Sequence, residues 1–470
     1  MYSLSPLSFK GRCLSWLLLG IALRPTAAGD QHGLYKIIVR DKATDQPVPL
    51  VELRTTSQLR FVTDNAGVIA FDALEFMNRE TWVDVLGHGY EVPPDGFGMR
   101  GVRIVPRPNT SLTLHVVRKN IAQRLGRLTG SGLLAESQKL GEYLEGKESP
   151  ITGCDSVQMT EYQGRAFWNW GDTNVAKYPL GNYHMTGAFT DFNLFKSIDL
   201  PIRPVFDYLL KSDGSPKSMA PIEGSGPTWL TGYTSLKDGE GQEHLVACYR
   251  KIKPPLDTHE IGLCEWDDER QDFQAVQVLW RASDGQPAPH KIPEGHTLRW
   301  TDADGQTWIL FGNPFPSLRC RDAYSAWKDP AAWESLDVPK ELVGSTQEEV
   351  VKPHSGSIAW NAFRQRWVTV FMQHFGKPSA FGELWYAEAD SPMGPWGNAV
   401  KILSHDNYSF YNPRVHGELS QKDSPILLFE GTYTHTFANK PVPTPRYDYN
   451  QILYRLDLDD PRLQTVTEAR

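Results

Sequence analysis

Between residues 34 and 118 apolar and polar positions alternate in short runs, the period-two signature of half-buried strands. The runs 35–40, 50–54, 60–63, 68–71, 82–86 and 111–117 are the predicted strands, separated by turn signals such as Asp64-Asn65-Ala66-Gly67 and Pro93-Pro94-Asp95-Gly96. This predicts a β-sandwich over 34–118. Residues 119–149 lose the alternation. Leu125, Leu128, Leu133, Leu134 and Leu140 are scattered among polar residues and glycines, which predicts a linker with one or two short helical turns.

From residue 150 a longer pattern recurs, a tight turn followed by an alternating aromatic or aliphatic strand. The copies include Gln163-Gly164-Arg165-Ala166-Phe167-Trp168-Asn169-Trp170, Gly305-Gln306-Thr307-Trp308-Ile309-Leu310-Phe311 and Arg364-Gln365-Arg366-Trp367-Val368-Thr369-Val370-Phe371. Their turns fall near 163, 241, 305, 364 and 422, at gaps of 78, 64, 59 and 58 residues. A four-stranded propeller blade occupies about 40–60 residues. The predicted fold class is therefore all-β: a five-bladed β-propeller over 150–470 behind an N-terminal β-sandwich.

Composition supports that outline. Aromatic residues make up 11% of the chain, and Gly and Pro number 39 and 34. So many rings and turn formers disfavour a helical bundle and suit short strands. The charge balance of 48 basic against 56 acidic residues gives −8. Without a basic surplus no nucleic-acid partner is expected. Lys10 and Arg12 precede the apolar run 13–23, and Pro25-Thr26-Ala27-Ala28 follow. This predicts a signal peptide over 1–28, cut after Ala28, and a secreted or periplasmic protein. No later stretch is apolar enough to span a bilayer, so a soluble monomer with no membrane partner is expected. Cys154, Cys248, Cys264 and Cys320 are too few for a disulfide scaffold. Cys248 and Cys264 lie on neighbouring apolar segments and are either bridged or buried free thiols.

Two resemblances carry the reading further. Asp41 and Asp45-Gln46-Pro47-Val48-Pro49, then Thr63-Asp64-Asn65-Ala66-Gly67-Val68-Ile69-Ala70-Phe71, then Gly87-His88-Gly89-Tyr90, resemble in their order the carboxypeptidase regulatory-like (transthyretin-like) domain. That resemblance implies a structural appendage without chemistry. Farther along stand Cys154-Asp155-Ser156-Val157, Asp390-Ser391-Pro392-Met393-Gly394-Pro395-Trp396 and Tyr411-Asn412-Pro413. With these motifs residues 150–460 resemble the five-bladed propeller glycoside hydrolases, the broad group that includes glycoside hydrolase family 43. The resemblance implies a carbohydrate substrate, with Asp155 as general base. The family's blade-three Glu acid is not recognisable near 298–321, so the proton donor is not carried over.

A propeller has one natural site, the funnel where its innermost strands converge, and each blade contributes the same point of its sequence. Glycoside cleavage needs two carboxyl groups flanking the bond. Glu430 follows the apolar run 426–429, where desolvation would raise its pKa as an acid requires; otherwise it pairs with Arg446 or Arg414. His354 begins the fourth copy and would bond a sugar hydroxyl or donate a proton. Asp172 either orients substrate and tunes a pKa or caps its turn through Thr173 and Asn174. Arg250 binds a uronate or sulfate or forms a surface salt bridge. Arg446 and Tyr447, in the proline-rich stretch 443–450, line the rim or belong to a loop closing the ring. Trp170 stacks on a sugar or packs within a blade. No cofactor motif is present. A single Ca²⁺ would fit a water-filled funnel.

Three functions compete. The first is a glycoside hydrolase. The second is a polysaccharide lyase on the same architecture, using Arg250, Arg446, His354 and Tyr447. The third is a noncatalytic carbohydrate- or protein-binding propeller. Architecture alone does not separate them.

Overall fold

The computed structural model describes residues 33–143, 148–182, 184–192, 199–346, 349–376, 380–405, 407–438 and 442–466. The apolar run at 13–23 and the expected cleavage after Ala28 lie outside these residues.

Residues 35–118 form two four-stranded sheets. One takes the order Val68–Phe71, Tyr35–Asp41, Ser111–Arg118, Tyr90–Glu91, and the other Arg60–Val62, Glu52–Thr55, Thr81–Leu86, Gly101–Ile104. Strict alternation in Tyr35–Asp41 buries every second residue. Ile37, Val39, Leu53, Val83, Val85, Leu114 and Val116 of the two sheets share one apolar core. The turn at Asp64 forms as its residues require. The Asp64 carboxylate accepts from the amides of Ala66 and Val68, and Gly67 takes φ 69°. Tyr90–Glu91 and Gly101–Ile104 carry too little alternation to have been predicted. The strand expected from residue 50 begins at Glu52 because Leu50 turns to φ 56°. Its side chain is fully buried in the core of the two last sheets of the chain.

Among the described residues five four-stranded antiparallel sheets follow, the last of them drawing one strand from before residue 150. They begin with the strands Gln158–Tyr162, Thr228–Lys237, His296–Thr301, Pro353–Asn361 and Ser409–Val415. The turns expected near 163, 241, 305, 364 and 422 each join the first strand of a sheet to its second. Polar bonds run from sheet to sheet among the first strands. Thr297 Oγ1 donates to Tyr233 O at 2.5 Å, and Val415 N donates to Ser357 Oγ at 2.7 Å. Arg414 Nη2 in the fifth sheet donates to Met159 O in the first at 2.8 Å. A cavity of about 330 Å³ opens among these strands, lined by Glu161, His296, Arg299, Trp360, Arg414 and Glu418 among others.

The stretch 119–149, read as a linker, does more than connect. Gln123–Arg127 is the fourth strand of the fifth sheet, paired with Asn450–Asp457, and only Ser137–Leu140 makes a short 3₁₀ turn. Within the strand the register shifts at Leu125, next to Gly126 at φ 155°. The alternative left open for Cys248 and Cys264 resolves to thiols: all four described cysteines are free and buried. Among the described residues no helix is long and apolar enough to cross a membrane.

Candidate active site

Asp155 sits just before the first strand of the first sheet, and Asp172 just after the second strand. The turn closes on itself. Gly171 N donates to Asp155 O at 2.8 Å, bringing the two aspartates side by side. Gly171 has to be glycine here, since a Cβ would lie 2.1 Å from Asp155 Oδ1 and 3.2 Å from Ser156 Cβ. Gly171→Ala should therefore displace the Asp155 carboxylate and shift its titration midpoint, with a small change in melting temperature, measured by ¹³C NMR beside thermal denaturation.

Four further residues from distant parts of the chain complete the cluster. Tyr449 OH donates to Asp155 Oδ2 at 2.7 Å. Trp229 Nε1 donates to Asp172 Oδ1 at 3.2 Å. Tyr411 lies within electrostatic reach of both aspartates, and its hydroxyl pKa is raised by burial and by their charges. Asn412 Nδ2 donates to Ser156 Oγ at 2.7 Å. Ser156, Asn412 and Tyr449 all hold positive φ, at 51°, 47° and 58°. Left-handed non-glycine residues cost about 1–3 kcal/mol each and gather where function maintains them.

The electrostatics follow from this placement. Burial pushes the Asp155 carboxyl up to about 7, partly offset by the Tyr449 hydrogen bond and reinforced by the neighbouring Asp172 charge. Burial likewise pushes Asp172 up to about 6, with the Trp229 bond opposing. Both side chains remain partly open to solvent. Both carboxyls therefore ionise later than an ordinary aspartate, Asp172 ahead of Asp155.

Arg250 lies opposite Trp229 in the second sheet. Its Nη2 donates to Glu294 Oε2 at 2.5 Å, so a basic and an acidic side chain, both partly exposed, stand on the same arc as Trp229. Glu294 escaped the sequence reading because it precedes its strand by two residues, in a loop with no repeat signal. Tyr449 and Trp229 escaped it because nothing local marks them as neighbours of Asp155; Tyr411 stood in a motif of the resemblance but without a place beside Asp155.

The other candidates lie elsewhere. Glu430 is fully buried, with no opening to a ligand. Arg414 Nη1 donates to His416 Nδ1 at 2.6 Å, so the ring's proton sits on Nε2, which donates to Glu430 Oε1 at 2.7 Å. Burial pushes the Glu430 carboxyl up to about 8. A carboxyl whose folded pKa exceeds its unfolded value near 4.5 stabilises the fold fully below that value, and the contribution is lost as pH rises through about 8. The melting temperature should thus decline across that range, and Glu430→Gln should flatten the decline in a pH series of thermal melts.

His354 stands against His374 and Phe381, with ring centroids 5.1 and 4.6 Å away, and burial lowers its pKa. Trp170 is fully buried among Trp168, Phe206 and Tyr208, so it presents no face to a sugar. Tyr447 is also fully buried, and its hydroxyl donates to Thr63 O in the N-terminal sheets at 2.8 Å. Arg446 pairs with Glu136, not with Glu430. Among the described residues no group of three or more His, Cys, Asp or Glu side chains is placed to hold a metal ion.

No family model matches the chain. No curated protein matches it either. Solved structures similar to it include an exo-1,5-α-L-arabinanase from a bovine ruminal metagenomic library, at TM-score 0.36 and 10% identity over 64% of this chain and 92% of that one. An arabinanase of Bacillus subtilis matches at TM-score 0.35 and 11% identity, over 65% and 96% of the two chains. An exo-β-1,3-galactanase of Phanerochaete chrysosporium matches at TM-score 0.39 and 8% identity, over 72% and 65%. Likenesses of this size carry no functional argument.

Proposed function

We propose that this chain is a glycoside hydrolase whose reacting centre is the Asp155–Asp172 pair. The observation that carries the reading is the pair itself. Two neighbouring carboxyls, both with raised pKa values and both partly open to solvent, are the kind of groups that acid–base cleavage of a glycosidic bond uses. The Tyr449 hydrogen bond favours the ionised form of Asp155, which suits the base role implied by its resemblance to the propeller glycoside hydrolases. Asp172, with the lower of the two raised values, ionises first, and Asp155 becomes available as a base once the pH passes about 7. Trp229 and Tyr411, half-buried beside the pair, offer ring faces and polar tips to a sugar, and Arg250 with Glu294 offers hydroxyl-binding groups.

The lyase alternative has less support. Of its residues, Arg446 and Tyr447 lie at the contact with the N-terminal sheets and His354 in an aromatic cluster. The hydroxyl that does reach the aspartates, that of Tyr449, has its pKa raised by burial and by the Asp155 charge, the wrong direction for a base.

The same reading takes residues 150–470 as a five-bladed propeller closed by Gln123–Arg127, and 34–118 as a carboxypeptidase regulatory-like β-sandwich. It takes 1–28 as a secretory signal, which places a monomeric enzyme outside the cytoplasm. The test is incubation with a panel of plant and algal glycans. New reducing ends without ultraviolet-absorbing unsaturated products support hydrolysis. Unsaturated products would establish the lyase, and binding without products the noncatalytic module.

A further inference from the structure

The loop that brings Tyr449 to Asp155 is tied at one end to the N-terminal sheets. Tyr447 OH donates to Thr63 O at 2.8 Å, and its ring lies under the Arg127 guanidinium, 5.1 Å from the ring centre. Arg127 is in turn locked to the N-terminal turn: its amide donates to Asn65 Oδ1 at 2.8 Å, and Asn65 Nδ2 donates to Arg127 O at 3.0 Å. Arg446 pairs with Glu136, whose carboxylate also accepts from the amide of Ala70 in the N-terminal sheet. Arg446 and Tyr449 both hold positive φ, at 65° and 58°, so the loop keeps a conformation its residues do not prefer. On its other side the loop lies so close to Gly153 that a Cβ there would be 2.2 Å from Tyr449 O. Tyr449 is thus held between the N-terminal anchors and the strand that leads to Asp155.

We propose that the N-terminal sheets are a positioning element for the candidate active site, holding through Tyr447 and Arg446 the strained loop that delivers the Tyr449 hydroxyl to Asp155. The inference rests on the reading of Asp155 as the reacting carboxylate. Tyr447 and Arg446 are positioning residues; only Tyr449 touches the carboxylate. The groups facing Asp155 are Tyr449, Asp172, Tyr411, the Cys154 thiol and the adjacent Ser156 hydroxyl, which also favours the ionised form. Of these, Tyr449 is the group that favours its ionised form through a side-chain hydrogen bond from the loop.

The test needs no substrate, so its failure is distinct from failure of the hydrolase reading. The Asp155 carboxyl is titrated by ¹³C NMR in the full chain, with the resonance assigned by its loss in Asp155→Asn. Tyr449→Phe should move the midpoint upward by about one pH unit, since a hydrogen bond to the charged form is lost. Tyr447→Phe keeps the ring over which Arg127 sits and deletes the bond to Thr63; it should move the midpoint in the same direction by a smaller amount. Arg446→Met, which frees the loop from Glu136, should do likewise. A merely structural role for Tyr447 and Arg446 would lower the melting temperature and leave the titration in place. Folded Tyr447→Phe and Arg446→Met variants with wild-type midpoints would overturn the proposal, as would a Tyr449→Phe variant with an unmoved midpoint.

Discussion

Asp155→Asn is expected to lower turnover on a responsive glycan by about 10³-fold with little effect on KM, the loss associated with removing a general base. The substitution keeps the side chain's size and leaves an oxygen to accept from Tyr449, so the cluster around it stays assembled. The pH profile separates this from a packing defect. A base acts only when ionised, and burial holds this carboxyl up to about 7. Wild-type turnover should therefore climb as the pH rises through about 7, and that limb should vanish in the variant. A variant with wild-type turnover on a confirmed substrate would remove Asp155 from the reaction.

Arg124→Met is expected to cost about 3–5 kcal/mol, since several buried carbonyls lose a charged donor at about 1–3 kcal/mol each. Arg124 is buried, on the strand that completes the fifth sheet. Its guanidinium donates to four backbone carbonyls of the N-terminal sheets' loops: Pro49 O at 3.0 Å, Leu50 O at 3.1 Å, Gly87 O at 3.0 Å and His88 O at 2.6 Å. It also lies 5.1 Å from the Tyr90 ring centre. Methionine fills most of the volume but donates nothing, so four acceptors lose a partner at once. Because those acceptors all lie in the N-terminal sheets, these should unfold ahead of the rest of the chain. Urea denaturation followed by amide exchange would show two transitions where the wild type shows one. Coincident transitions at the wild-type midpoint would mean that Arg124 does not join the two parts.

These predictions draw on features of unequal legibility. The five recurring turns could be read because each is local. A glycine or polar pair between alternating strands dictates a hairpin whatever surrounds it. Asp155 and Asp172 could be read for a related reason, since they flank one hairpin and Gly171 folds that turn back onto Asp155. Glu430 shows where local reasoning stops. Its apolar approach correctly implied a desolvated carboxyl with a raised pKa, yet a strand pattern cannot say whether a polar residue faces a funnel or a buried neighbour. Here it faces His416. Trp170, Arg446 and Tyr447 divide in the same way: their residue types suit a sugar site, and their burial and partners serve packing and anchoring.

The linear chain by itself determined an all-β protein, the position of nearly every hairpin and the two carboxylates of the candidate site, because hairpins and short turns follow from interactions between residues a few places apart. The tertiary structure alone decided which side chains meet those carboxylates. Tyr449 lies 294 residues from Asp155, and Trp229 lies 57 from Asp172. It also decided that 123–127 belongs to the last sheet, and that the N-terminal sheets grip the loop beside the site. Contacts between residues so far apart depend on how whole sheets come together, and local alternation carries no information about that.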